Sequence, residues 1–400
     1  MKKMIAAFGA FLLSSASLAH AETTLTWLMW GNTDAETAVW QHLADMVHEK
    51  HPDIVVKVQT AAWLDYWTKL PTLAAGNQLP DIVGLQSLRT TELSSILEPL
   101  DAYVAKAKFA VVDFQPSIID GLKTEGALYA LPYDLGPWLL FYNKDMFQKK
   151  DVPLPKPGWT KAEFLDAAQK LTANGNYGFA TTSNEWLPFM LSAGANYIKD
   201  DAFDLTNDKL VNAFQAYADL AAKDKIAPQI PASGTASGIV AVGRFTSGSL
   251  GMMVDGPWDL VNVKGTAKFN IGFATIPADT AGSVTQVAGS GFAITQTSKH
   301  KDDAWIAIQE MTSPEAERYL VSQNRAFPAR TAQQGDWYSK TGAGVENARE
   351  AMEYSLQHSV PYGVAPNIST FNALCEQYFP LAFSGSQSAS DVLSSIQGQL

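Results

Sequence analysis

Apolar and polar positions at the start of the chain follow two alternating regimes. Thr24–Trp30 (TLTWLMW) is a nearly unbroken apolar run ending at Gly31-Asn32, the pattern of a strand covered on both faces. Thr33-x-x-Glu36 then has capping-box spacing and opens a helix from Asp34 to about His48, which His51-Pro52 ends. Ile54–Gln59 reads as the next strand, Asp65–Ala75 as a second helix and Ile82–Leu85 as a third strand. Strand–helix–strand–helix–strand predicts a doubly wound α/β lobe. Ligands bind outside the carboxyl ends of such strands, which is where Trp30, Asn32, Trp63 and Gln86 fall.

The pattern changes at Leu128–Phe147 (LYALPYDLGPWLLFYNKDMF). Leu128–Leu131 and Trp138–Tyr142 read as short strands, with Pro132, Tyr133-Asp134 and Gly136-Pro137 between them. Neither proline can donate to a ladder, which argues against one continuous central strand. Two readings are open: a loop joining strands of one sheet, or a crossing between two lobes with Tyr133-Asp134 facing the cleft. The rest of the chain favours the second, because it holds a further set of strands and helices. Asn143 can cap a helix from Lys144, and Thr160-x-x-Glu163 opens another through Leu171. Tyr177–Thr181, Leu250–Val254, Phe269–Ile276 and Ser290–Thr295 read as strands, and Leu210–Ala222 as an amphipathic helix. A Gly/Ser-rich segment, Ser233–Gly238, precedes one more helix, and from Lys299 onward the chain is mostly helical.

Composition narrows the setting. Lys2-Lys3, the apolar run Met4–Leu13 and Ala19-His20-Ala21 predict an export signal over residues 1–21, with a mature chain from Glu22. The run is too short to span a bilayer, which takes about 20 apolar residues. The length suggests two domains. The single cysteine, Cys375, excludes a disulfide framework and lies far from the cleavage site, so the reading is a periplasmic protein with no lipid anchor. A net charge of −11 without a basic run excludes nucleic acid and anionic lipid as partners.

Candidate chemistry is sparse. His48 and His51 are spaced i, i+3 and not the i, i+4 that a zinc helix needs. No nucleophile elbow, phosphate loop or complete dinucleotide motif is present, so no catalytic residue, metal ligand or cofactor is assigned. The aromatics say more. A sugar ring offers a flat C–H face and a rim of hydroxyls, which suits aromatic planes flanked by planar polar groups. Trp30 with Asn32, Trp63 with Asp65, Trp186 with Asn184 and Glu185, and Trp258 with Asp255 each pair the two. Trp40, Trp159 and Trp305, on or at helix starts, read as core.

Taken together, these stretches resemble family 1 extracellular solute-binding proteins, the carbohydrate receptors of bacterial ABC importers. The resemblance runs through LTWLMWGN, DYWTKLPTLAAGNQLPDIV, EPLDAYV, GALYALPYD, FYNKDMF, WTKAEFLDAAQKLT, FTSGSLGMMVDGPWDL, GSGFAITQTSKHKDDAW, TSPEAERYL and AFPAR, in that order. It implies two α/β lobes, each a mainly parallel sheet flanked by helices, hinged by segments near 131–137, 285–290 and 327–337. The N-terminal lobe would comprise 22–131 and 291–327, and the C-terminal lobe 136–286 and 338–400. It also implies ligand contacts at Trp30, Asn32, Trp258, Gly289, Ser290 and Arg325. The expected function is capture of a neutral sugar, oligosaccharide or polyol by a monomer that hands it to an inner-membrane permease. Two alternatives are a secreted glycoside hydrolase, which needs carboxylates about 5–10 Å apart such as Asp134 and Asp255, and a same-fold receptor for a polyamine or sugar phosphate.

Overall fold

The computed structural model describes residues 22–200, 202–230, 236–363, 365 and 367–400; the expected export signal and Ser233–Thr235 lie outside them. In chain order the elements that build the site are β1 (Thr23–Trp30), α1 (Asp34–Lys50), β2 (Ile54–Ala61), α2 (Trp63–Ala75), β3 (Ile82–Gln86), β4 (Leu131–Pro137) and β5 (Leu139–Asn143). They continue as α3 (Ser237–Thr246), β6 (Met252–Asp255), β7 (Ile271–Ala274), β8 (Thr285–Ile294), β9 (Ser359–Pro361) and α4 (Ile368–Phe383).

The first sheet runs in the order β9-β8-β3-β1-β2, with β4 paired to the free side of β8. β1 is parallel to β2 and β3, as the strand–helix–strand alternation predicts, while β8 is antiparallel to β3 and to β4. The second sheet differs from expectation. It has the order β6-β5-β7 and is antiparallel throughout. A continuous apolar run reports burial on both faces but not strand direction. Here β4 runs straight into β5, and the segment from β6 to β7 carries a helix, Leu260–Thr266, before the chain returns to the other side of β5. The pleat of this sheet divides two cores: Leu139, Phe141, Met253 and Phe273 join the core of the first sheet, whereas Leu140, Tyr142, Met252 and Val254 join a second core with the C-terminal helices.

β4 is one strand, not two runs separated by a loop. It absorbs Pro132 and Pro137 because its ladder runs along β8 alone; on its other side only Asp134 and Leu135 meet Phe327-Pro328. The register skips Tyr133, a bulge opposite Ser290 and Gly291. Tyr133 turns into the core and stacks on Phe292 at 4.7 Å. The three segments expected to cross between lobes therefore lie side by side. Of the predicted caps, Thr160–Glu163 forms a reciprocal box and Asn143 accepts from the Met146 N–H. Thr33 forms half of one: it accepts from the Glu36 N–H, but the Glu36 carboxylate takes the Asn32 N–H at 2.9 Å instead. The predicted strand at Tyr177–Thr181 is irregular backbone with a single bridge to Leu250.

Candidate ligand-binding site

A cavity of about 430 Å³ opens where the strand ends of both sheets face each other. One wall comes from the carboxyl ends of β1 and β3 and the start of α2: Trp30, Asn32, Trp63, Trp67, Gln86 and Arg89. The other comes from the end of β6, residues 184–187, the start of α3 and the first turns of α4, bringing Asn184, Glu185, Asp255, Trp258, Asp259 and Glu376. Trp138, between β4 and β5, and Tyr362 complete it.

The aromatics are held by one another. Trp30 is nearly fully buried, with Trp63 edge-on at 5.5 Å, Tyr66 at 5.2 Å and Trp67 tilted at 5.5 Å. Its carbonyl accepts the Trp40 indole N–H at 2.8 Å, so α1 fixes the end of β1. Trp63 is half-buried and caps the cluster, and its N–H donates to Asn32 Oδ1 at 3.0 Å. Across the cavity the half-buried Trp258 meets Trp138 edge-on at 5.0 Å, and the Trp138 indole N–H donates to the Tyr362 hydroxyl. Gly136 makes room for this turn: a Cβ there would lie 2.4 Å from Pro257 Cγ and 3.5 Å from Trp258.

Charge is divided unequally between the walls. Arg89 lies over the Trp67 face at 4.1 Å, and burial pulls its guanidinium down to about 10. Arg325 lies over Trp40 at 4.7 Å, with Glu36 at 3.5 Å and Asp134 at 3.8 Å. On the opposite wall burial pushes the Glu185 and Asp259 carboxyls up to about 7 each, and Asp255, beside Asp259, well above the carboxylate range. Gln86 Oε1, Arg89 Nε, Glu185 Oε2, Asp259 Oδ2 and Arg325 Nη1 are buried without a hydrogen-bond partner. Buried polar atoms are normally paired, so this cavity collects polar groups that a bound molecule can satisfy.

Trp30, Asn32, Trp63, Gln86, Asn184, Glu185, Trp186, Asp255, Trp258 and Arg325 all line the cavity, as placed from sequence. Trp186 touches it only from within the second core, packed edge-on against Phe379 at 5.0 Å and Phe214 at 5.4 Å. Four expected residues do not line it. Asp65 is exposed on α2. Asp134 is buried beside Arg325, accepts the Ser290 N–H at 2.7 Å, and is pushed up to about 6 because burial outweighs both partners. Ser290 lies in the β8 ladder facing β4, and Gly289 is there for close packing, since a Cβ would sit 2.3 Å from Ile118 Cδ1 and 2.7 Å from the Asp134 carbonyl. Asp134 and Asp255 are therefore not paired across the cavity, contrary to the hydrolase alternative. Sequence reasoning missed Trp67, Arg89, Trp138, Asp259, Tyr362 and Glu376. Trp67 had a usable signal, one helical turn beyond Trp63, and Asp259 had one in standing next to Trp258; the others are assembled only by tertiary contacts.

The model of the bacterial extracellular solute-binding proteins matches residues 42–346. The chain belongs to this family. The lactose-binding protein of Rhizobium radiobacter is 25% identical over 356 residues, covering 83% of this chain and 80% of that protein. The mannitol-binding protein of Pseudomonas aeruginosa is 30% identical over 177 residues, covering 43% of this chain and 40% of that one. Among solved structures, an ABC substrate-binding protein of Listeria monocytogenes in complex with cycloalternan superposes with a TM-score of 0.85 at 23% identity, covering 94% of this chain and 98% of that one. The solute-binding protein therefore has the two-lobe α/β fold of that structure, and its cavity lies between the lobes. Among the described residues no helix is long and apolar enough to cross a membrane, and no cluster of metal-ligating side chains is present.

Proposed function

We propose that this solute-binding protein captures a sugar, oligosaccharide or polyol between its lobes and delivers it unchanged to an ABC-type inner-membrane permease. The observation that carries the reading is the interlobe cavity, with Trp63 and Trp258 on facing walls and planar polar groups around them. Its volume of about 430 Å³ suits a small ligand. The names of the lactose- and mannitol-binding relatives support the same class. In this reading the chain is an exported periplasmic monomer, released from residues 1–21, without a lipid anchor. Its lobes comprise 22–131 with 291–327, and 136–286 with 338–400. They hinge at 131–137, 285–290 and 327–337, and ligand favours closure by binding the closed form better than the open one.

A thermal-shift screen of the mature protein against mono-, di- and trisaccharides and polyols tests this. A true ligand at a hundred times its Kd adds about 2.7 kcal/mol of stability. A response confined to a polyamine without hydroxyls or to a sugar phosphate would overturn the carbohydrate reading.

A further inference from the structure

The imbalance of charge in the cavity goes beyond what a neutral ligand explains. Both lining guanidiniums are already offset by acids on their own side: Arg89 has Glu92 at 3.8 Å, and Arg325 has Glu36 at 3.5 Å and Asp134 at 3.8 Å. The facing wall holds Glu185, Asp255, Asp259 and Glu376. Among the described residues none of these four forms an ion pair. The pull of Arg325 on Asp259 is outweighed by repulsion from Glu36, and Glu185 and Asp259 both repel Asp255. Glu376 is engaged by Asn184 Nδ2 at 2.7 Å and by Ser237. Glu185 is not fully engaged: it is only 9% exposed, yet its Oε2 has no hydrogen-bond partner, while Asp259 has the Asp255 carboxyl beside it to share a proton.

A sugar hydroxyl can donate to one such oxygen but brings no charge. A neutral ligand closing over this wall leaves the carboxyls to hold their protons, whereas a cation seated there would stabilise their charged form. A protonated amine carries three donors and a full positive charge, and the neighbouring Trp138–Trp258 pair offers aromatic faces that also favour a cation.

Resting on the carbohydrate reading, we propose that the ligand is a sugar or polyol bearing a protonated amino group, with its nitrogen seated against Glu185 and the Asp255–Asp259 pair and its ring or chain towards the tryptophans. Calorimetric titration of the mature protein tests it with glucosamine, galactosamine and the free-amine disaccharide of glucosamine, each beside its N-acetyl counterpart. Lactose, mannitol and putrescine complete the set. The expected result is at least one amino sugar binding tenfold or more tighter than its N-acetyl form. Glu185→Gln, with Asp259→Asn as a second isosteric variant, should shrink that ratio at least fivefold without lowering the melting temperature. Neutral or N-acetylated sugars binding as well as the amines, or no amino sugar binding at all, would overturn the proposal and leave the carbohydrate reading to stand on the neutral probes. Putrescine binding with silence from every sugar and polyol would instead overturn the carbohydrate reading and support the amine contact.

Discussion

At the scale of single residues, function rests on side chains held at the cavity edge by groups behind them. Trp258 is the clearest case, because it is half-buried, it packs on Trp138, and its own turn is fixed by Pro257 against Gly136. Trp258→Ala is expected to weaken ligand binding by more than about 1 kcal/mol, as buried aromatic anchors commonly do, with the unfolding midpoint little changed. Wild-type affinity in a calorimetric titration would remove Trp258 from the site. This residue was legible in the sequence because Gly256-Pro257 announces a turn at a strand end. Asp134 misled for an equally physical reason. A polar pair between two prolines reads as exposed, whereas here the bulge at Tyr133 buries both side chains and leaves Asp134 to Arg325 and Ser290. That ion pair predicts a different outcome at the same scale. Arg325→Met leaves Asp134 and Glu36 buried without their cation, which should cost about 3–5 kcal/mol in chemical denaturation. A loss under 1 kcal/mol would show that neither carboxylate depends on it.

Among elements, β4 does the most to place the site. It ladders along β8, touches Phe327-Pro328 on its other side, and runs directly into β5, so it connects both sheets and carries Gly136 beneath the Trp258 turn. Gly136→Ala should act on that turn. Its new Cβ would need Pro257 to move from 2.4 Å to normal contact, and overpacking of this kind costs about 1–3 kcal/mol. The expected signature is a loss of affinity larger than a tyrosine or tryptophan truncation outside the cavity produces, together with a modest drop in melting temperature. Unchanged affinity would mean that the turn relaxes without carrying Trp258 with it. The strands and helices around the first sheet were readable from period and caps, because β1, β2 and β3 are short apolar runs between well-marked helices. The antiparallel second sheet was not, since β5, β6 and β7 are buried on both faces and an apolar run carries no sign of direction.

For the whole molecule, a net charge of −11 was visible at once, but the gathering of four of its acids on one cavity wall was not. Glu185, the Asp255–Asp259 pair and Glu376 lie far apart in the chain and meet only through tertiary packing. Their burial has a consequence for stability. The Glu185 carboxyl is raised from its ordinary value of 4.5 to about 7, and that of Asp259 from 3.8 to about 7. Between those limits the folded protein holds protons that the unfolded chain has released, so stability must fall as pH rises through the window. Below about pH 4 both states are protonated at these groups and the penalty is absent; above about pH 7 it is complete. Acids stabilised in the fold, such as Asp279 beside Lys161, are held below the usual carboxylate range and act in the opposite sense, but their contribution is complete by about pH 5. The ligand-free protein should therefore melt progressively lower from about pH 5 to 7.5 in scanning calorimetry. Glu185→Gln should flatten that slope, because the amide has no charge to develop. A melting temperature that holds level or climbs over the same range, or a Glu185→Gln profile parallel to wild type, would mean that the wall ionises without cost and that its charge is already compensated within the protein.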